Sequence, residues 1–190
     1  MRTTALRTTQ SALFFVFVLV AMVASAAVAV ARPASPDTRA ETHCVIEVVD
    51  QRADGELVMS DKTCFDTFAK AQFHATGGKL VLAPDAHGSV AFKAGFDKRS
   101  TQTLGIHYNK KNGGGSSITV VGSGCTGGYW NTSSNWDNKI SSSYNGCPRL
   151  RHYDKANLNG MFADTTGVGT TDNLPSFMNN KTESVQYRAS

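Results

Sequence analysis

The chain has 190 residues, 41% of them hydrophobic and 18% charged, with 17 glycines, four cysteines and a net charge of +4. That apolar fraction is too high for a disordered polar chain, and beyond the N-terminal leader no apolar run is long enough to span a bilayer. The basic excess is small and two of its arginines, Arg2 and Arg7, lie in the leader. Nucleic-acid binding, which needs a clustered cationic face, is excluded on that ground.

Met1 to Gln10 carries two arginines and no acid, and an apolar run follows through Phe14, Phe15, Phe17 and Leu19. Small residues come next, with three overlapping Ala-x-Ala-like sites between Ala24 and Ala31. This order of segments is a secretory signal peptide over 1–31; the alternative is an uncleaved membrane anchor. Export places the protein outside the cell, with no membrane contact once the leader is removed. All four cysteines (Cys44, Cys64, Cys125, Cys147) follow the leader, an even number for an oxidising compartment. Four cysteines allow three pairings; 44–64 and 125–147 each fall within one region of the chain. Each such loop closure contributes about 3 kcal/mol in the chain-entropy model. No C-x-x-C pair supports thiolate metal binding instead.

Residues 32–42 are polar, with Pro33 and Pro36, and read as a loose lead-in. Cys44–Val49 is a β-branched strand, Asp54-Gly55 a turn and Glu56–Met59 a return strand. A helix is expected next, capped by Thr63 with Asp66 completing an acidic capping box. Phe65, Phe68, Ala69 and Phe73 would share its face, and Gly77-Gly78 would end it. Leu80–Leu82 and Val90–Phe92 are further short strand candidates. Residues 43–103 thus form a small hairpin-plus-helix extension.

From Leu104 onward Gly, Asn, Ser and Thr become dense, strands shorten and helix signals vanish, which indicates an all-β domain over 104–190. It contains a repeat. His107-Tyr108 and Gly115 recur as His152-Tyr153 and Gly160, and Asp137-Asn138-Lys139-Ile140-Ser141-Ser142 recurs as Asn179-Asn180-Lys181-Thr182-Glu183-Ser184. Two landmarks in the same order indicate two copies of a unit of about 40 residues. The hexapeptides are rich in carboxylate, amide and hydroxyl oxygens. Calcium takes about six to eight oxygen ligands, so neither copy suffices alone, but two side by side with loop carbonyls would.

Those residues resemble the βγ-crystallin family. Its domain consists of two Greek-key motifs, each opening on an aromatic-rich hairpin and closing on the hexapeptide N/D-N/D-x-x-S/T-S. The first hexapeptide fits every specified position, and Trp130 and Trp136 resemble the family's tryptophan corner. The hairpin signature departs from the family: Gly113 and Leu158 stand where a second aromatic is usual. Glu183 replaces Ser or Thr in the second hexapeptide. The implied fold is mainly β, a Greek-key β-sandwich of βγ-crystallin type preceded by the hairpin and α-helix unit.

The resemblance implies two calcium ions, each between the motifs. The third hexapeptide residues, Lys139 and Lys181, would give backbone carbonyls, and the fifth, Ser141 and Glu183, their side chains. Asn138 and Asn180 would reach across, with the hairpin carbonyls of Lys111 and Ala156 completing the set. A purely structural role for the hexapeptides is the alternative.

Other signals carry less. Gly122–Gly127 matches G-x-G-x-x-G after a strand, yet no helix pattern follows to receive a pyrophosphate. The five histidines lie in no catalytic signature, and His107 and His152 at repeat-equivalent positions point to strand pairing. Trp130, Trp136, Tyr129 and Tyr144 read as core residues more than a sugar-stacking face. Asn131-Thr132-Ser133 and Asn180-Lys181-Thr182 are glycosylation sequons. The expected function is a secreted, non-enzymatic calcium-binding protein. A metallopeptidase inhibitor or killer-toxin-like module on the same fold is the second reading, its partner an extracellular protease or a cell-wall component.

Overall fold

A computed structural model of the protein describes residues 40–88 and 102–190. The expected leader, most of the lead-in and the strand candidate Val90–Phe92 lie outside them. Among the described residues no helix is long and apolar enough to cross a membrane.

The apolar run after His43 forms β1 (His43–Gln51), and the Gly55 turn returns the chain as β2 (Leu57–Met59). The chain then forms β3 (Thr63–Phe65), which also pairs antiparallel with β1 and sets Cys44 opposite Cys64. The two are joined by a disulfide, as are Cys125 and Cys147, so the local pairing is the one present. The helix α1 runs Phe68–Ala75. This corrects the expected start at Thr63. Thr63 lies in β3, and the N-cap is Thr67, whose hydroxyl accepts from the Lys70 amide at 3.3 Å. Asp66 pairs with the Lys70 ammonium at 2.8 Å instead of closing a capping box. Thr63 and Thr67 both satisfy the local cap pattern, and pairing with β1 decides between them. The buried helix positions are Phe68, Ala69, Ala71, Gln72 and Ala75, while Phe73 is half exposed. Leu80–Leu82 is not a strand; Leu82 instead packs onto the Phe68–Tyr108 cluster.

Eight strands follow: β4 (Gln102–Tyr108), β5 (Ser117–Gly122), β6 (Tyr129–Asn131), β7 (Ser142–Asn145), β8 (Arg149–Lys155), β9 (Asn159–Thr166), β10 (Thr171–Asn173) and β11 (Ser184–Arg188). They form two antiparallel Greek keys, β4–β7 and β8–β11, and each lends its third strand to the other's sheet. The first sheet runs β10-β7-β4-β5-β1-β2 with β3 also on β1; the second runs β6-β11-β8-β9. The mainly β, Greek-key sandwich expected from the sequence is therefore the fold. Its core lies between the sheets, where Leu104, Ile118, Val120, Trp130, Trp136 and Leu150 are buried.

The hairpin-helix segment is built into this sandwich. β1 runs parallel to β5, with Cys44 opposite Ile118 and Ile46 opposite Val120, and so covers an edge that β5 would otherwise leave open. The β1–β2 turn reaches the second sheet, where the Tyr129 amide donates to the Gly55 carbonyl at 3.0 Å. Helix α1 covers the outer face of the first sheet: Ala71 and Ala75 pack on Val45 and Val121, and Phe68 on Ile106, Tyr108 and Tyr144. Covered on both faces, β5 reads Ser-Ile-Thr-Val-Val-Gly with every residue buried and little polar alternation. Among the described residues no helix covers the outer face of the second sheet.

Candidate metal centre

The two hexapeptides occupy equivalent places and meet in the middle of the sandwich. Each opens on a tight turn: the Asp137 amide donates to Ser133 O at 2.8 Å and the Asn179 amide to Pro175 O at 2.9 Å. Asn138 and Asn180 then take left-handed φ of 58° and 56°, a conformation asparagine tolerates better than most residues. From there each crosses to the other motif, Asn138 N donating to Thr182 O at 3.1 Å and Asn180 N to Ile140 O at 2.9 Å. The fifth residues are fixed to the hairpins in the same way. Ser141 N donates to Tyr108 O at 2.8 Å and Glu183 N to Tyr153 O at 2.9 Å.

The sixth residues have a structural role. Ser142 Oγ donates to Lys110 O at 2.7 Å and accepts from Gly113 N at 3.0 Å. Ser184 Oγ does the same to Lys155 O at 2.7 Å and from Leu158 N at 3.2 Å. Each buried serine thus closes its hairpin. The repeated glycines serve the same hairpins: at Gly115 and Gly160, both with positive φ, a Cβ would come within 2.1 Å and 1.9 Å of Asn109 Oδ1 and Asp154 Oδ1.

The first centre brings three oxygens together. Ser141 Oγ is 2.8 Å from Asn180 Oδ1 and 3.2 Å from Asn109 O, with one hydroxyl proton among the three. Separations of this size suit neighbouring oxygens around a cation with ligand distances of about 2.4 Å. Two of the expected ligands, Ser141 and Asn180, are in contact. The hairpin carbonyl on Ser141 is that of Asn109, not of Lys111, whose carbonyl accepts from Gly114 N at 3.2 Å. The carbonyls of Lys139 and Lys181 accept no hydrogen bond among the described residues, which leaves both lone pairs for a ligand. The Lys139 ammonium folds back to Asn135 O at 2.8 Å, so its charge is tied to its own turn.

The second centre is less assembled. No hydrogen bond joins the Glu183 and Asn138 side chains in the way that Ser141 and Asn180 are joined, and Ala156 O accepts both Asn159 N and Asn159 Nδ2. Asymmetry begins at the first hexapeptide position. Asp137 Oδ1 accepts from the Thr132 hydroxyl, whereas its counterpart Asn179 Oδ1 is buried without a partner. Leu174 occupies the place equivalent to Thr132 and offers no hydroxyl. Among the described residues no three His, Cys, Asp or Glu side chains gather, so the oxygen set is the one with metal-binding chemistry.

The repeat histidines lie between the sheets, both fully buried. His107 bonds Ser143 Oγ at 2.8 Å and Tyr187 Oη at 2.9 Å, and its ring sits edge-on to His152 at 5.6 Å. Desolvation lowers both below the ordinary histidine range, His152 to about 3 despite an opposing contribution from Asp164. The Gly122–Gly127 loop leads into β6 and no helix follows it. Asn131 is held by Glu56 Oε1 and Asn157, and Thr182 is buried, so both sequons are built into the fold.

Two exchanged Greek keys with paired hexapeptide turns define a sandwich of βγ-crystallin type. Two solved structures are similar to it, both mutants of a βγ-crystallin domain from Clostridium beijerinckii. One covers 45% of this chain and 97% of its own at 21% identity and TM-score 0.37; the other covers 46% and 99% at 18% identity and TM-score 0.38. No family model and no curated protein matches the chain.

Proposed function

We propose that this protein is an exported, non-enzymatic calcium-binding module whose folded state the ion stabilises. The observation that carries the reading is the 2.8 Å approach of Ser141 Oγ to Asn180 Oδ1, two residues from separate motifs. The first centre would comprise those two oxygens with the carbonyls of Asn109 and Lys181; Glu183, Asn138 and the Lys139 carbonyl are the candidates for the second. When bound, calcium neutralises the mutual repulsion of these oxygens. The chain's own part is to hold the two turns together through the Asn138–Thr182 and Asn180–Ile140 backbone bonds. Without a carboxylate, the first set belongs with the weak sites, with dissociation constants of about 10⁻⁴–10⁻³ M. Such values suit the calcium-rich extracellular setting that two disulfides also favour.

Calorimetric titration with calcium, and melting with calcium or chelator, test this. Calcium at 100 times its dissociation constant should add about 2.7 kcal/mol per site. Ser141→Ala should remove the first centre's share and Glu183→Gln the second's. Identical melting curves in millimolar calcium and in chelator would overturn it.

A further inference from the structure

On the outer face of the second sheet, Arg149 on β8 lies directly opposite Arg188 on β11. Like charges facing each other across a sheet cost stability, and a nearby carboxylate offsets only part of it. The one carboxylate among them is Asp164. It is engaged by Arg151, whose Nε and Nη2 reach its two oxygens at 2.7 Å and 2.9 Å. Arg149 comes no closer to it than 3.9 Å, and Arg188 has no ion pair among the described residues. Three guanidinium groups thus share one carboxylate on a face that no helix of the described residues covers. Of these, Arg151 lies 4.0 Å over the Phe162 ring, and Phe162 packs against Tyr153 at 5.9 Å. Phe162 is 48% exposed. Register puts Arg149 and Arg188 in one row and the two rings four residues along the strands, on the same face.

We propose that this face docks a uronic-acid polysaccharide, its carboxylates held by Arg149 and Arg188 and a sugar ring stacked on Phe162 and Tyr153. Charge complementarity selects an anionic partner. The Arg151–Asp164 fork on the same face shows the geometry in which a guanidinium here takes a carboxylate. The exposed Phe162 ring suits the apolar face of a sugar ring, with Tyr153 tilted 51° beside it. Three arginines against one carboxylate, in a chain of net charge +4, make a weak field for a nucleic acid. None of these side chains is among the hexapeptide oxygens, and the test runs in chelator, where calcium binding plays no part.

The probe is polygalacturonate, with dextran sulfate, dextran and single-stranded DNA for comparison, titrated into the full-length protein and its variants. The wild type should bind polygalacturonate, more weakly as salt rises, and ignore dextran. Arg149→Gln with Arg188→Gln should weaken binding about tenfold or more, with an unchanged or higher melting temperature because the opposed charges are gone. Phe162→Ala should weaken binding without altering its salt dependence, and Lys70→Gln on α1 should leave it unchanged. The proposal is overturned by no binding to polygalacturonate, by equal binding of the double arginine variant, or by tighter binding of dextran sulfate or DNA.

Discussion

Asn112 and Asn173 hydrogen-bond to each other twice, the Asn112 amide donating to Asn173 Oδ1 and Asn173 Nδ2 to Asn112 Oδ1, both at 2.6 Å. The same clasp recurs between Asn157 and Asn131, at 2.8 Å and 2.7 Å. In each, an asparagine with φ of 58° at a hairpin tip grips the third strand of the other motif. These clasps fasten the exchanged strands β10 and β6 in place. Asn173→Ala and Asn131→Ala should each cost about 1–2 kcal/mol in denaturant unfolding. Because the clasps share no residue, the double variant should lose the sum within about 0.5 kcal/mol. A negligible loss from both single variants would show that backbone pairing alone retains those strands.

The buried histidines predict weakness in acid. Unfolded, each imidazole takes up a proton near pH 6.5; folded, His107 does so well below that and His152 only near 3. The unfolded state therefore binds more protons throughout this window, and stability is lost as pH falls through it. The slope should approach about 1.4 kcal/mol per pH unit for each histidine. His152→Gln should flatten the dependence of melting temperature on pH between about 6.5 and 4. A slope unchanged in that variant would assign the acid weakness to carboxylates instead.

Leu158 sits at φ +60°, where its counterpart in the first hairpin is Gly113 at φ +70°. A side chain in the left-handed region costs about 1–2 kcal/mol, and leucine makes no local hydrogen bond to offset it. Leu158→Gly should therefore raise the midpoint of thermal unfolding, with glycine's added unfolded-state entropy limiting the gain to about 1 kcal/mol. A drop in melting temperature would mean that leucine's packing outweighs the strain.

What the sequence made legible is what the chain specifies locally. The hexapeptides, the paired glycines and the turn-rich composition after Leu104 each lie within a few neighbouring residues. The disulfides join cysteines 20 and 22 residues apart. Other features depend on partners far along the chain. His43 Nδ1 meets Ser117 Oγ across 74 residues, and no local pattern at β1 announces that its partner is β5. The helix start was misplaced for the same reason, since Thr63 is a good cap until β1 claims it as a strand. The contact of the Asn109 carbonyl with Ser141 Oγ was not legible either, because the hairpin's 3-10 turn decides which carbonyl faces Ser141.

The last prediction concerns residues 43–88, which make no contribution to the hexapeptide turns. A fragment beginning at Gln102 would keep both Greek keys and both hexapeptide turns. It would also expose Ile106, Tyr108, Val121 and Tyr144, all buried in the whole chain under α1 and its neighbours. The β5 edge would lose its pairing with β1, leaving free backbone donors and acceptors beside apolar side chains, a combination that recruits another copy. Light scattering should find this fragment associated at concentrations where the longer chain is monomeric, and its melting temperature should be lower. Charged replacements at Ile106 and Val121 should restore a monomer. A fragment that stays monomeric and melts with the full chain would show that the sandwich needs neither its added strand nor its helix layer.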